Sequence, residues 1–563
     1  MPEIACRPVD EAARARLAAA GCDPRLARLY AARGLGCMED LATTLQSLLA
    51  PERMSHVDDA ARLLADAIAA GERMTIVADY DADGATACAV GVRALRAMGA
   101  KVDFLVPNRF EHSYGLSPEI VREAARLGPS LLITVDNGIA AVEGIAEANR
   151  LGMRVLVTDH HLPGASLPDA ACIVNPNQAG CGFPSKHLAG VGVIFYVMLA
   201  LRAELRRRGA FASRAEPNLA ELLDLVALGT VADVVRLDTN NRILVAQGLA
   251  RIRAGRACAG VAALFEAAGR PVSQATAYDL GFAAGPRLNA AGRLDDMSLG
   301  IACLVCDDRA AATAMAMKLD RLNRERREIE GEMQASALAM IGQIEGGDAY
   351  TLSLHRPEWH QGVVGLLASR VKDRLHRPVF AFAADGNMLK GSGRSIAALH
   401  LRDALDLVDK RCPGLLARFG GHAAAAGCTL RADGLATFRA AFETVARERL
   451  GPADLAQRIE TDGELDAADM TQDFARLLRR HVWGHGFPEP RFVGRFRVEE
   501  QRVVGEKHLR LALGAHGRRF PAIRFGCADA LPDRIEAVYR LDVNEFQGTS
   551  SLQLVVEHAV EPV

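Results

Sequence analysis

Three features of the sequence predict an α/β chain in which a parallel-sheet domain is joined by a long helix to a smaller α/β domain and followed by a C-terminal β-barrel. Between about 70 and 235, apolar runs of five or six residues alternate with helical patterns, the mark of parallel strands buried on both faces. From about Ala311 to Gln343 a charged stretch with helical periodicity and one glycine, "AATAMAMKLDRLNRERREIEGEMQASALAMIGQ", runs unbroken, and a helix that long is a natural rod between domains. The C-terminal stretch changes to short alternating strands, "RFVGRFRVEE", "HLRLAL" and "SLQLVVEH", as a small barrel requires.

At 563 residues the chain is too long for one core. The pattern divides it into a helical extension (1–50), the first α/β domain (51–310), the connecting helix (311–345), the second α/β domain (346–450) and the barrel (451–563). A formal charge of −2 gives no global bias toward a polyanion, so any nucleic-acid site must be a local basic groove. The twelve cysteines are scattered, which suits reduced thiols in the cytoplasm rather than a disulfide framework. The one C-x-x-C, Cys303 to Cys306, sits in an apolar helical pattern and reads as core. The N-terminus lacks the apolar centre of a signal peptide. The longest apolar run, Leu188 to Leu201, is too short to span a bilayer and reads as a buried helix, so no membrane association is expected.

In chain order, strand "RMTIVAD" precedes a helix through Arg93 and Leu95. Strands "KVDFLV" and "LLITVD" follow, then a helix from Ile139 to Arg150 and strand "RVLVTD". Asp79, Asp81, Asp83 and Gly84 imitate the start of an EF-hand loop, but position twelve is Val90 and the incoming segment is a strand, so the calcium reading fails. Asp79, Asp136 and Asp159 each end an apolar strand. One such aspartate is commonly a helix N-cap; several at one sheet edge, where ligands bind α/β folds, point to a site. His160 and His161 extend it, and Asp233, after the apolar segment "LVALGTVA", is a further acid that could join. Carboxylates that converge in a dry site need cations. Oxygen and imidazole donors without cysteine suit Mn2+ or Mg2+ better than structural zinc, and this many acids suit two ions about 3.5–4 Å apart, the arrangement for phosphoryl transfer.

"VTDHH", "VADYDADGATA", "LLITVDNGI" and "LGTVADVV" resemble the four motifs of the DHH phosphoesterase superfamily. "VPNRFEHSYGLS", "LAGVGVIFY", "GPRLNAAGRL", "LDRLNRERREIE", "WHQGVVGLLASR", "KGSGRSI" and "GGHAAAAG" resemble, more narrowly, the RecJ family of single-strand-specific exonucleases, in order from about residue 50 onward. The resemblance implies a DHH catalytic domain, a DHHA1 domain and an OB-fold barrel that holds single strands. It implies 5′ to 3′ hydrolysis of single-stranded DNA to mononucleotides in recombination and repair, with two divalent ions, Mn2+ preferred and Mg2+ an alternative.

It also implies roles residue by residue. Asp79, Asp81 and a bridging Asp136 hold one ion, and Asp83, Asp136, His160 and Asp233 the other. Asp159 orients its neighbour and His161 faces the scissile phosphate. Arg109, Arg287, Asn289, Ser392, Arg394 and His422 match positions that contact DNA phosphates or the 5′ end, Arg287 serving catalysis as well, with His422 in a glycine-rich loop whose N–H groups can cradle a phosphate.

Plainer readings stand beside these. His161 alone could be a histidine satisfied within the fold, and each arginine a surface ion pair. In the barrel Arg491, Arg495, Arg497, Arg502, Lys507, Arg510, Arg518 and Arg519 interleave with Phe492, Phe496, Phe520 and Phe525. That suits a stacking groove for a single strand and equally a half-buried strand. Arg324, Arg326 and Arg327 on the long helix could border the same channel. His112 and Ser113 in "HSYG", Arg236 and the stretch "VWGHGFPEP" depart from the family pattern. The resemblance implies a monomer that works with single-strand-binding protein and a helicase, since the chain has no Walker-type loop with which to unwind DNA. The alternatives are a DHH-type phosphodiesterase acting on short oligonucleotides or cyclic dinucleotides, and a non-catalytic DNA-binding scaffold.

Overall fold

The computed structural model describes residues 2–108, 115–342, 348–546 and 548–561. The chain forms two compact units, Cys6–Asp320 with Glu460–Val563, and Met1–Ala5 with Arg321–Ile459.

In the larger unit a five-stranded parallel sheet is built from β1 (Arg73–Ala78), β2 (Lys101–Leu105), β3 (Leu131–Val135), β4 (Arg154–Thr158) and β5 (Cys172–Val174), in the order β2-β1-β3-β4-β5. β3 is buried along its whole length, and β1 and β4 are buried beyond their first residue, as expected for strands covered on both faces. The order reverses between β1 and β3, the point at which such sheets bind ligands. Around the sheet stand α1 (Ala82–Ala97), α2 (Val142–Arg150), α3 (Gly190–Arg207), α4 (Leu223–Ala232) and α5 (Gly285–Leu294). The expected buried helix at 188–201 is α3. The apolar segment before Asp233 is also a helix, α4, so this acid arrives from a helix end rather than a strand end.

The long helix α6 spans Arg309–Gly342. In the smaller unit, β6 (Leu352–His355), β7 (Val379–Asp385), β8 (Met388–Arg394), β9 (Leu416–Gly421) and β10 (Ala425–Arg431) make a sheet in the order β9-β10-β8-β7-β6, with α7 (Val364–Leu375) against it. The glycines of "KGSGRS" are residues of β8. A Cβ on Gly391 would stand 2.3 Å from the Phe382 ring and one on Gly393 2.4 Å from the Phe380 ring, so their absent side chains let the β7 phenylalanines lie flat across β8.

In the larger unit, β11 (Phe492–Val504), β12 (His508–Ala515), β13 (Arg518–Arg524), β14 (Arg534–Phe546) and β15 (Thr549–Val560) close a barrel in the order β11-β12-β13-β15-β14. Buried Asp462, before the barrel, pairs with the Arg33 guanidinium at 2.8 Å, and Tyr30 bonds His481 at 2.6 Å. Two of the departures from the family pattern meet: a Cβ on Gly486 would lie 2.3 Å from the Arg236 side chain, and Leu237 N–H donates to the His485 carbonyl; His112 and Ser113 lie outside the described residues. All twelve cysteines are free thiols, and Cys303 is buried with its thiol pushed up to about 12 by desolvation. No helix among the described residues is long and apolar enough to cross a membrane.

Candidate metal centre

Each strand of the central three carries its ladder one residue past its end, and that residue is an aspartate. Asp79 N–H donates to Val135, Asp136 N–H to Thr158 and Asp159 N–H to Val174, so three carboxylates leave one edge in register. Asp136 holds a left-handed backbone at φ 61°, a conformation that costs most L-residues about 1–2 kcal/mol and that aspartate tolerates better than most.

Asp81 is the N-cap of α1, its carboxylate accepting from Asp83 N–H at 2.9 Å and Gly84 N–H at 3.0 Å. Asn289 accepts from the next free donor, Ala82 N–H, at 2.9 Å. The helix start is pressed onto the strand end, because a Cβ on Gly84 would meet the Asp79 carbonyl at 2.4 Å. Asp83 then reaches across to α3, accepting from Gly190 N–H at 2.6 Å and Val191 N–H at 2.9 Å, where the positive end of the helix favours an anion. Gly190 is demanded by the same contact: a Cβ there would lie 2.6 Å from that of Asp136. Neither Gly190 nor Val191 stood out as a site residue in the sequence, since the motif "LAGVGVIFY" carries no charged side chain.

The donor atoms fall into three overlapping sets, each with its atoms within 4.8 Å of one another: Asp79, Asp81 and Asp136; Asp83, His160 and Asp233; and Asp136, His160 and His161. His160 Nε2 lies 3.0 Å from Asp136, 3.6 Å from Asp233 and 4.0 Å from Asp83. His161 Nδ1 bonds the Asp159 carboxylate at 2.8 Å, and that carboxylate also accepts the backbone N–H groups of His160, His161 and Ile139. Asp159 is thus spent on orienting its neighbours.

The electrostatics say what fits. Burial first, and repulsion from Asp81 second, push Asp83 up to about 7. Burial and the neighbouring carboxylates raise Asp136 and Asp233 well above the ordinary range. His160 is pushed down to about 4 by burial and by His161. It is therefore a neutral imidazole, the form that ligates. His161 is raised to about 9: burial opposes the charge, but the bond to Asp159 and the nearby aspartates outweigh it. Anionic oxygens that repel one another and a neutral imidazole aimed among them fit divalent cations.

The family model described as the DHH family N-terminal domain matches residues 73–230, that of the DHHA1 domain residues 347–448, and that of the RecJ OB domain residues 461–558. A protein of Dickeya dadantii named single-stranded-DNA-specific exonuclease RecJ is 53% identical over 549 residues, covering 95% of each chain. The chain belongs to the RecJ family. Solved structures of RecJ from Thermus thermophilus are similar over 100% of this chain at 31% identity: one in complex with Mn2+ (TM-score 0.81, 79% of that chain) and one with Mg2+ (TM-score 0.77, 78% of that chain).

The residues expected at DNA phosphates from the resemblance are spread over both units. In the larger one, Arg287 donates to the Ala283 carbonyl and pairs with buried Asp320 at 2.7 Å, and Asn289 has its amide oxygen on α1. In the smaller one, Ser392 and Arg394 share a face of β8 at 3.2 Å, and a Cβ on Gly365, in the first turn of α7, would stand 2.9 Å from the Ser392 hydroxyl. His422 is exposed in the turn between β9 and β10. Its N–H donates to the Ala425 carbonyl at 2.7 Å, so that group closes the hairpin rather than cradling a phosphate. Arg109 lies outside the described residues.

The barrel phenylalanines follow the plainer reading. Phe492, Phe496 and Phe520 are core, and only Phe525 of the four is exposed. Arg326 is likewise buried, against Glu330 and Asn323. Arg502 and Arg510 stand directly opposite each other on β11 and β12.

Proposed function

We infer that this chain is a metal-dependent exonuclease that hydrolyses phosphodiester bonds of single-stranded DNA, from the 5′ end, releasing 5′-mononucleotides in recombination and repair. The observation that carries the reading is the convergence of Asp79, Asp81, Asp83, Asp136, His160 and Asp233 at the switch point of the sheet, in a chain with relatives named single-stranded-DNA-specific exonucleases over almost its whole length. Two ions would be held there, one by Asp79, Asp81 and Asp136 and the other by Asp83, Asp136, His160 and Asp233, with Mn2+ serving better than Mg2+. Such ions, when bound, activate water and neutralise charge on the phosphate. Asp159 fixes His161, which as an imidazolium donates to the scissile phosphate. Arg287, held by Asp320, keeps positive charge beside the α1 loop.

The work divides along the chain. Residues 51–310 carry hydrolysis, Ser392 and Arg394 in 346–450 bind phosphate, and 451–563 hold the strand. Like charges directly opposite across a ladder are unfavourable, so the Arg502–Arg510 pair is supported best as a seat for a polyanion. Without a Walker-type loop the enzyme depends on a helicase for strand separation and on single-strand-binding protein for delivery. It acts as a monomer in the cytoplasm, where twelve free thiols stay reduced.

A 3′-labelled single-stranded oligonucleotide, its duplex and a 5′-hairpin-blocked form, each with Mn2+, Mg2+ or chelator, test the reading. Metal-dependent shortening of the single strand alone is expected. An untouched strand with cleaved dinucleotides would replace it with the short-substrate alternative.

A further inference from the structure

Val234 follows Asp233 directly, and its backbone lies in the left-handed region at φ 60°. It is the residue just past the end of α4, where glycine is usual because it carries no Cβ penalty. A β-branched side chain is the worst suited to that conformation. The isopropyl group lies mostly in solvent, Val234 being 61% exposed. A strained and largely exposed apolar residue beside a carboxylate of the centre is a candidate for a role in the reaction.

Its surroundings say which role. The Asp233 and His161 side chains are 23% and 29% exposed, against 0% for Asp83 and 2% for Asp136, so Asp233 is one of the groups at the rim of the centre. The π-helical turn Leu280–Ala284 packs on the end of α4, where a Cβ on Gly281 would lie 3.2 Å from Val231 and one on Gly285 3.1 Å from Ala232. That turn and the residues before it expose Tyr278 and Phe282, stacked with ring centroids 4.6 Å apart at 23°. An apolar surface therefore adjoins the rim of a site built for phosphate. In a nucleic-acid substrate the group that is apolar-faced and adjacent to a phosphate is the unpaired base.

We propose that Val234 is a positioning residue: its side chain is the stop against which the base next to the scissile phosphate rests, at the head of the ledge formed by Tyr278 and Phe282. The proposal rests on the single-strand reading of the site and adds to it a residue that reads the base rather than the phosphate.

The test uses the full-length protein with Mn2+, the variants Val234→Ala and Val234→Gly, and single strands carrying one tetrahydrofuran abasic residue at each of the first four positions in turn. Expected are a rise in KM of about fivefold for both variants on intact DNA with kcat within about twofold, since the contact is to the base and not to the reacting phosphate. At one abasic position wild type shows the same rise, and the variants show little more there, because the contact is already gone. Val234→Gly melts no lower than wild type, the released strain offsetting the added freedom of glycine in the unfolded chain. Unchanged KM in both variants, or variant and abasic effects that multiply at every position, would overturn the proposal. Failure of wild type to digest any intact single strand would instead remove the reading beneath it.

Discussion

Gly190 leaves room for Asp136 and no more. Replacing it with alanine puts a methyl 2.6 Å from the Asp136 Cβ, so either the α3 terminus or the carboxylate must shift. Gly190→Ala is expected to fold, because the clash is at the edge of the sheet, and to lose at least about tenfold in Mn2+ affinity, the scale on which displaced supporting groups act; calorimetric titration measures it. A pH dependence follows from Asp83, whose carboxyl is raised from 3.8 to about 7. Between those values the folded metal-free chain holds a proton that the unfolded chain has released, so its stability falls as pH rises through that window. Mn2+ competes with the same proton. Its affinity is expected to rise at least about tenfold per unit as pH rises toward 7; an affinity that does not change across this range would contradict this.

At the scale of elements, α3 and α1 do what their ends dictate. One presents N–H groups to Asp83, and the other is capped by Asp81 while delivering Asp83. Strand β8 has a different constraint, since its glycines make room for rings. Gly391→Ala is expected to cost about 1–3 kcal/mol by overpacking on Phe382. Gly427→Ala on neighbouring β10, whose added Cβ would meet its nearest atom at 3.6 Å, should cost far less; thermal melts of the two variants decide it. On the barrel, Arg502→Ala with Arg510→Ala should weaken single-strand binding and lower the salt slope by about 1.4, two phosphate contacts at ~0.7 each. An unchanged slope would place the strand elsewhere.

For the whole molecule, the parts that a local pattern can encode were legible in the sequence. A buried parallel strand must be a short apolar run, and the residue after it must point out at the sheet edge, so Asp79, Asp136 and Asp159 could be found from their neighbours alone. The barrel was visible for the same reason. What was hidden depends on segments that meet only in the fold: Gly190 and Val191 donating to Asp83 across more than a hundred positions, and Asn289 closing on Ala82. Alternation along β11 also could not tell the inside of a closed barrel from its outside, which is why Phe492 and Phe496 looked as much like stacking platforms as core.

The central claim is that the convergent carboxylates hold divalent cations and that these drive single-strand hydrolysis. The most direct measurement is a Mn2+ titration of metal-stripped wild type and Asp136→Asn, reading bound ions per chain and the initial rate of digestion of a single strand in the same samples. Two ions per chain in wild type are predicted, with digestion appearing only as they bind and lost by at least about a hundredfold in Asp136→Asn together with ion binding. Digestion that persists in chelator, or an Asp136→Asn protein that binds Mn2+ and digests DNA as wild type does, would contradict it.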